Sequence, residues 1–158
     1  MNQKINLEKL PVRIGTGYPA PHDTPCRTRE IKSLGDAVGL TQFGVNLVRL
    51  KQGVWTGQRH WHSKEDEFVW VTEGEVVLAT DEGEEVFRAG DCIGFAAGVQ
   101  NAHHFRNESE ADAVLLTIGT RSLEDECHYP DVDLFAKAGR YTDPSVFVHK
   151  DGTPYTKS

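Results

Sequence analysis

The sequence predicts an all-β protein built on an antiparallel barrel or sandwich, and three observations predict it. From Phe43 to Gly119 short apolar runs alternate with turn signals, a rhythm that suits short strands and leaves no room for the helices of an α/β sheet. All seven prolines, at 11, 19, 21, 25, 130, 144 and 154, fall in the flanks. Proline cannot donate to a ladder, so the proline-free stretch from Cys26 to Tyr129 marks the sheet-forming region. At 158 residues and 38% hydrophobic content the chain suits one domain, provided the apolar residues alternate along strands. The expected layout is an arm with edge strands over 1–39, the barrel over 40–120, and a flank over 121–158 that packs on the barrel.

In chain order, Leu7 to Thr28 is polar and proline-studded, and Ile14 to Pro19 reads as an extended arm. With Val12, Ile14 and Tyr18 to bury, it either pairs with another subunit or folds back over the barrel. Arg29 to Leu34 reads as a short strand or irregular chain, and Phe43 to Leu50 as a strand closed by Lys51-Gln52-Gly53. Further strands are expected over Phe68–Thr72, Glu75–Thr80, Glu84–Arg88, Cys92–Ala96, Ala102–Arg106 and Ala113–Gly119, with Cys92 a small core residue. After Thr120 the pattern breaks. Asp131 as N-cap and Gly139 as a C-terminal stop bracket one short helix, and Asp151-Gly152 has turn chemistry with Pro154 limiting any strand beyond it.

The chemistry concentrates in Gly57 to Glu67. Successive side chains of a strand alternate faces, so His60 and His62 stand together on one face, about 7 Å apart at Cα, and their ring nitrogens can converge on one ion. Ser63 to Asp66 is a turn-like run, and Glu67 stands where the returning strand begins. A fourth ligand is expected from His103-His104, beyond the Gly90 to Gly98 stretch.

These two stretches resemble the motifs of the cupin family. The first motif maps onto Gly53, His60, His62, Glu67 and Gly74, with six residues rather than five between Gly53 and His60. The second maps onto Gly90, Ala96, Gly98, His103 and Asn107, with Ala96 in place of proline and four residues rather than two between Gly98 and His103. That insertion leaves His103 and His104 as alternatives. Counting back from Asn107 selects His103, and alternation puts His103, Phe105 and Asn107 on one face with His104 and Arg106 on the other. The resemblance implies a jelly-roll barrel. It also implies a metal held by His60, His62, Glu67 and His103.

Imidazole with carboxylate suits Fe, Mn, Ni, Co, Cu and Zn alike, and a six-coordinate ion would keep two positions for a substrate. Such a site can acidify a carbon or hydroxyl next to a polarised oxygen. The leading expectation is therefore a metal-dependent isomerase or epimerase acting on a sugar or sugar phosphate, as small cupins resembling this one include sugar-phosphate isomerases. An Fe(II) dioxygenase and a non-catalytic metabolite-binding module are the rivals. No residue stands out as general base.

Arg49, Arg59, Lys64 and Arg106 lie near the motifs in sequence and are the cations a phosphate would look for. Arg59 and Arg106 have the parity of the outer face, whereas Arg49 shares a face with Val45 and Leu47, which hints at the barrel interior or its rim. His104 is expected at the surface or an interface; His22, His128 and His149 at the surface; Tyr18, Tyr129 and Tyr141 over the barrel mouth if the flanks fold across it. Trp61 and Trp70 should face away from the metal, and a subunit interface is a reasonable cover for them, so a homodimer is expected.

A net charge of −7 without any Lys/Arg cluster argues against nucleic acid as partner. A small-molecule substrate is expected instead. No stretch approaches the length of a membrane span or a signal peptide, and Cys26, Cys92 and Cys127 form an odd, widely spaced set that suits free thiols in a reducing cytoplasm.

Overall fold

The chain is described by a computed structural model over residues 4–143 and 146–155; residues 1–3, 144–145 and 156–158, Pro144 among them, lie outside the described residues. Its strands follow the turn punctuation of the sequence. They are β1 (Arg13–Ile14), β2 (Glu30–Ser33), β3 (Phe43–Leu50), β4 (Trp61–His62), β5 (Glu67–Glu73), β6 (Glu75–Thr80), β7 (Gly83–Arg88), β8 (Cys92–Phe95), β9 (His104–Arg106), β10 (Ala113–Thr120), β11 (Cys127–Tyr129), β12 (Leu134–Ala136) and β13 (Phe147–Val148). One short helix, α1 (Leu34–Ala37), follows β2.

Three antiparallel sheets form the jelly roll, ordered β1-β2-β3-β10-β5-β8, β13-β12-β11-β4 and β7-β6-β9. Alternation along the long strands decides what fills the barrel. From β3, β5 and β10 the inward residues at one end are Leu50, Val48, Val71, Val69, Ala113 and Leu115, which pack with Val76, Leu78, Phe87 and Phe105 from the facing sheet. Toward the other end the same inward rows become Asn46, Gly44, Thr117, Gly119 and Glu67. The lining passes from bulky and apolar to small and polar, so the barrel is plugged at one end and hollow at the other.

Two tight turns hold this arrangement. Between β5 and β6 the chain reverses at Gly74, whose φ of +74° lies in the left-handed region. A Cβ there would also come within 2.5 Å of the Asp112 carbonyl oxygen. Asn107, fully buried, donates from Nδ2 to the carbonyls of Leu50 (2.8 Å) and Ala111 (2.7 Å) and accepts from the Ser109 backbone N–H (2.9 Å). The motif asparagine therefore shapes the loop into β10 and touches no ligand.

The arm folds back on its own barrel: β1 pairs with β2, Arg13 opposite Ile31, and extends the large sheet by one strand. The expected helix over 131–139 does not form. Asp131 lies in a turn with its carboxylate on the Arg59 guanidinium (2.7 Å), and Leu134–Ala136 is instead strand β12, buried between β11 and β13. Tertiary pairing overrides the weak helical signal of so short a segment. Cys92 is exposed rather than in the core, because it stands opposite Trp70 on the outward face of β8 while Ile93 points in. Arg49 points outward as well, half-exposed and 3.4 Å from Asp112. It shares its face with Val45 and Leu47 as expected, but that face is the outer one. Among the described residues no helix is long and apolar enough to cross a membrane.

Candidate functional site

The hollow end of the barrel is a cavity of about 570 Å³, and His60, His62, Glu67 and His103 all line it. Backbone pairing aims them. His60 and His103 form an isolated antiparallel bridge, each N–H donating to the other's carbonyl (3.1 and 2.9 Å), so their side chains leave on the same face. His62 follows two residues on in β4 with the same parity, and Glu67 opens β5 across the Ser63–Asp66 turn.

The donor atoms of His60, His62 and Glu67 all lie within 4.8 Å of one another. The His60 ring is 4.9 Å from that of His62 and 5.1 Å from that of His103, centroid to centroid. His103 Nε2 is 3.0 Å from Glu67 Oε2, and His62 Nε2 is 3.9 Å from the same oxygen. His103 thus joins the group through the carboxylate.

Each imidazole is fixed by what its ring touches. His60 Nδ1 lies 2.8 Å from the Gln58 carbonyl, which only a protonated Nδ1 can satisfy, so Nε2 is left to accept. His62 Nδ1 lies 2.7 Å from a buried Asp125 carboxylate oxygen, with the same consequence. Phe95 stacks on the His103 ring at 3.5 Å with an interplanar angle of 4°. Burial, followed by the neighbouring His62 and His103, lowers the His60 pKa to about 3, so the ring is a neutral donor of its lone pair. Burial raises the Glu67 carboxyl, but the hydrogen bond from His103 and the surrounding imidazoles outweigh it and hold the pKa at about 2. The His60 and His62 Nε2 atoms and the ionised Glu67 carboxylate, within 4.8 Å of one another, form a donor set that fits a divalent first-row cation, and His103 Nε2 would join it in exchange for its hydrogen bond to Glu67.

The alternative group of His62, Asp125 and Cys127 is also close, being fully buried at Asp125 and nearly so at Cys127. The short Asp125 to His62 contact accounts for it as an orienting carboxylate behind a ligand. Nothing near Asp125 in sequence announces this role. β11 brings it there, by pairing Cys127 opposite His62 and His128 opposite Trp61.

The outer shell departs from expectation in several places. His104 does face away from the site, yet it is buried rather than at the surface: its ring packs on Trp55 at 4.6 Å and its Nδ1 lies 3.1 Å from the Gly57 carbonyl. Trp61 stacks on the chain's own His128, the ring centroids 4.1 Å apart. Arg59 pairs with Asp81 and Asp131, and Arg106 with Glu84 and Glu108, all away from the cavity. The arginines that do line it are Arg13, Arg29, Arg121 and Arg140, none of them near the motifs in sequence. Tyr18 and Tyr129 line it too, their rings 5.6 Å apart, with Tyr129 a further 5.6 Å from His60. Burial raises Tyr18 to about 12 and pushes Tyr129 up as well, so both keep their hydroxyl protons at neutral pH.

Comparison with known proteins agrees with this fold. Residues 46–119 match the family model described as a cupin domain. A sugar phosphate isomerase of the cupin superfamily from Silicibacter pomeroyi superposes with a TM-score of 0.89 at 44% identity, covering 98% of this chain and 97% of that one. A protein from Acidithiobacillus ferrooxidans, provisionally named a sugar phosphate isomerase, superposes with a TM-score of 0.71 at 28% identity over 83% of this chain and 82% of its own. The polyketide cyclase RemF from Streptomyces resistomycificus shares the fold at a TM-score of 0.61 and 20% identity, covering 76% of this chain and 80% of that chain. No curated protein matches the chain in sequence. Strand order, motif residues and a near full-length relative agree: the chain belongs to the cupin superfamily.

Proposed function

We propose that this cupin is a metal-dependent isomerase of a small oxygenated metabolite, a sugar or sugar phosphate, with His60, His62, Glu67 and His103 as ligands of a divalent first-row ion. The observation that carries the reading is the convergence of these four side chains at the inner end of one cavity, with the second nitrogens of His60 and His62 tied to Gln58 and Asp125. The 44% identical relative named as a sugar phosphate isomerase supports the substrate class. When bound, the ion would supply Lewis acidity that acidifies a C–H beside a carbonyl.

The chain's own residues do the rest. Asp125 holds His62 in one tautomer, and Phe95 holds the plane of His103. Tyr18 and Tyr129 present neutral O–H groups beside His60, placed to donate to a substrate oxygen and to deliver a proton to it. Gly57 keeps the passage between them open, since a Cβ there would lie 2.9 Å from the Tyr18 hydroxyl and 3.9 Å from His60 Cε1. The free state of Cys26, Cys92 and Cys127 supports a reducing, cytoplasmic setting. On the outer face of the large sheet Phe68 and Trp70 are 38% and 45% exposed beside Ile118 and Leu116, and a second copy of the chain is the cover we assign to them.

Metal analysis of the purified protein beside His60→Ala and Glu67→Ala variants, with turnover of aldose and ketose phosphates measured with and without O₂, tests the reading. Bound metal lost in both variants, and interconversion independent of O₂, is the expected result. An absolute O₂ requirement, or a native protein that holds no metal, overturns it.

A further inference from the structure

The four arginines that line the cavity divide into two pairs. Arg121 Nη2 is 2.5 Å from the Asp36 carboxylate, and Arg140 donates to Glu65 with Asp125 3.7 Å away. Both are neutralised from within the chain. Arg29 and Arg13 have no carboxylate within 4.0 Å among the described residues.

Arg29 is held in place rather than free. One Nη donates to the Thr56 carbonyl and the other to the Gly15 carbonyl at 3.2 Å, while Nε is buried without a partner. The Nε of Arg140 is also buried and unpartnered, but that guanidinium already has its two carboxylates. Burial lowers the Arg29 pKa from its ordinary value, and the charge of Arg13 across the β1–β2 pairing pushes the same way. A desolvated guanidinium with no counter-charge, in a cavity that a second arginine also lines, raises the energy of the folded chain. Pinning the arm to the loop before His60 needs only a neutral donor. A planar, permanently charged fork with a second cation alongside is what a tetrahedral anion needs.

Position adds to this. Thr56 precedes Gly57, where the Tyr18 hydroxyl and His60 come together, so Arg29 is anchored one residue from the inner site. A second cavity, of about 520 Å³, also reaches His62 and His103; Glu84 in its lining is paired with Arg106, but Glu82 and Glu85 line it too and no lysine or arginine does. An anion is repelled from that mouth and attracted to the one carrying Arg13 and Arg29.

We propose that Arg29 and Arg13 form the anion subsite of the cavity and take the phosphoryl group of a phosphate monoester substrate. Its sugar end then lies toward His60, Tyr18 and Tyr129. The choice of a sugar phosphate rests on the functional reading above; the anion subsite rests on the arginines alone.

Calorimetric titration of the metal-loaded full chain with inorganic phosphate, at constant ionic strength and with acetate as the comparison anion, tests it. Saturable phosphate binding is expected, weakened about tenfold in Arg29→Gln and in Arg13→Gln and unchanged in Arg121→Gln, with metal content unaltered in all three. Arg13 is exposed and its side chain makes none of the arm's hydrogen bonds among the described residues, so its variant gives an answer even if Arg29→Gln does not fold. The His60→Ala variant should still bind phosphate. If native protein binds phosphate no better than acetate, if neither arginine variant weakens it, or if His60→Ala abolishes it while the arginine variants do not, the anion subsite is overturned. Phosphate binding that depends on Arg13 and Arg29 in a protein without metal upholds the subsite and sinks the isomerase.

Discussion

Asp125 has the largest expected effect of any residue that would not itself touch the ion. It is fully buried, accepts from His62 Nδ1 and from the Lys64 backbone N–H, and so fixes both the ring and the start of the turn that leads to Glu67. Removing its charge while keeping its shape should loosen that tautomer. Asp125→Asn is expected to lower metal affinity by about 10–100-fold, as loss of an orienting partner typically does, with the far-ultraviolet circular dichroism spectrum of the native protein retained. Metal titration against a competing chelator reads the affinity; an unchanged affinity would mean that Phe95 and the backbone alone hold the site. At this scale the sequence was informative about which side chains meet in the cavity and silent about their supports. His60, His62 and Glu67 are neighbours along the chain, whereas Asp125 is linked to His62 only by the pairing of β11 with β4.

At the scale of elements, the turn between β5 and β6 governs whether the large sheet keeps its register. Gly74 combines a left-handed φ with a close backbone approach, so a side chain there is strained in two independent ways. Gly74→Ala is expected to cost about 1–3 kcal/mol of stability, read as a lower urea midpoint with an unchanged slope. A midpoint equal to that of the native protein would sink the argument. Strands proved legible where turns punctuate them: β5, β6, β7, β8 and β10 fall close to the predicted runs. The 131–139 segment did not. Its N-cap and C-stop residues are real signals, but so short a helix is marginal by itself, and a strand edge was on offer at β11.

For the whole molecule the question is what covers the outer face of the large sheet. Phe68 and Trp70 stand there half-exposed, while Trp61 stacks on His128. A homodimer through that face should give twice the chain mass in sedimentation equilibrium, and Trp70→Lys should shift the distribution to monomer with little change in metal content. A native protein that sediments as a monomer at all concentrations rules the interface out. The two mouths of the site region also belong to this scale: one is lined by arginines from the arm, the other by glutamates of β7 and its turn.

The sequence by itself determined the fold class and the group of residues offered to a cation, because alternation along a strand is set by covalent geometry and needs no knowledge of distant partners. Only the tertiary structure decided which face of each strand is the inside. Arg49, whose parity hinted at the barrel interior or its rim, points outward, while Arg13 and Arg29, far from the motifs, line the cavity. That choice depends on how the arm and the C-terminal strands close over the barrel. Those pairings are non-local, and their energy comes from surfaces that meet only once the chain has folded.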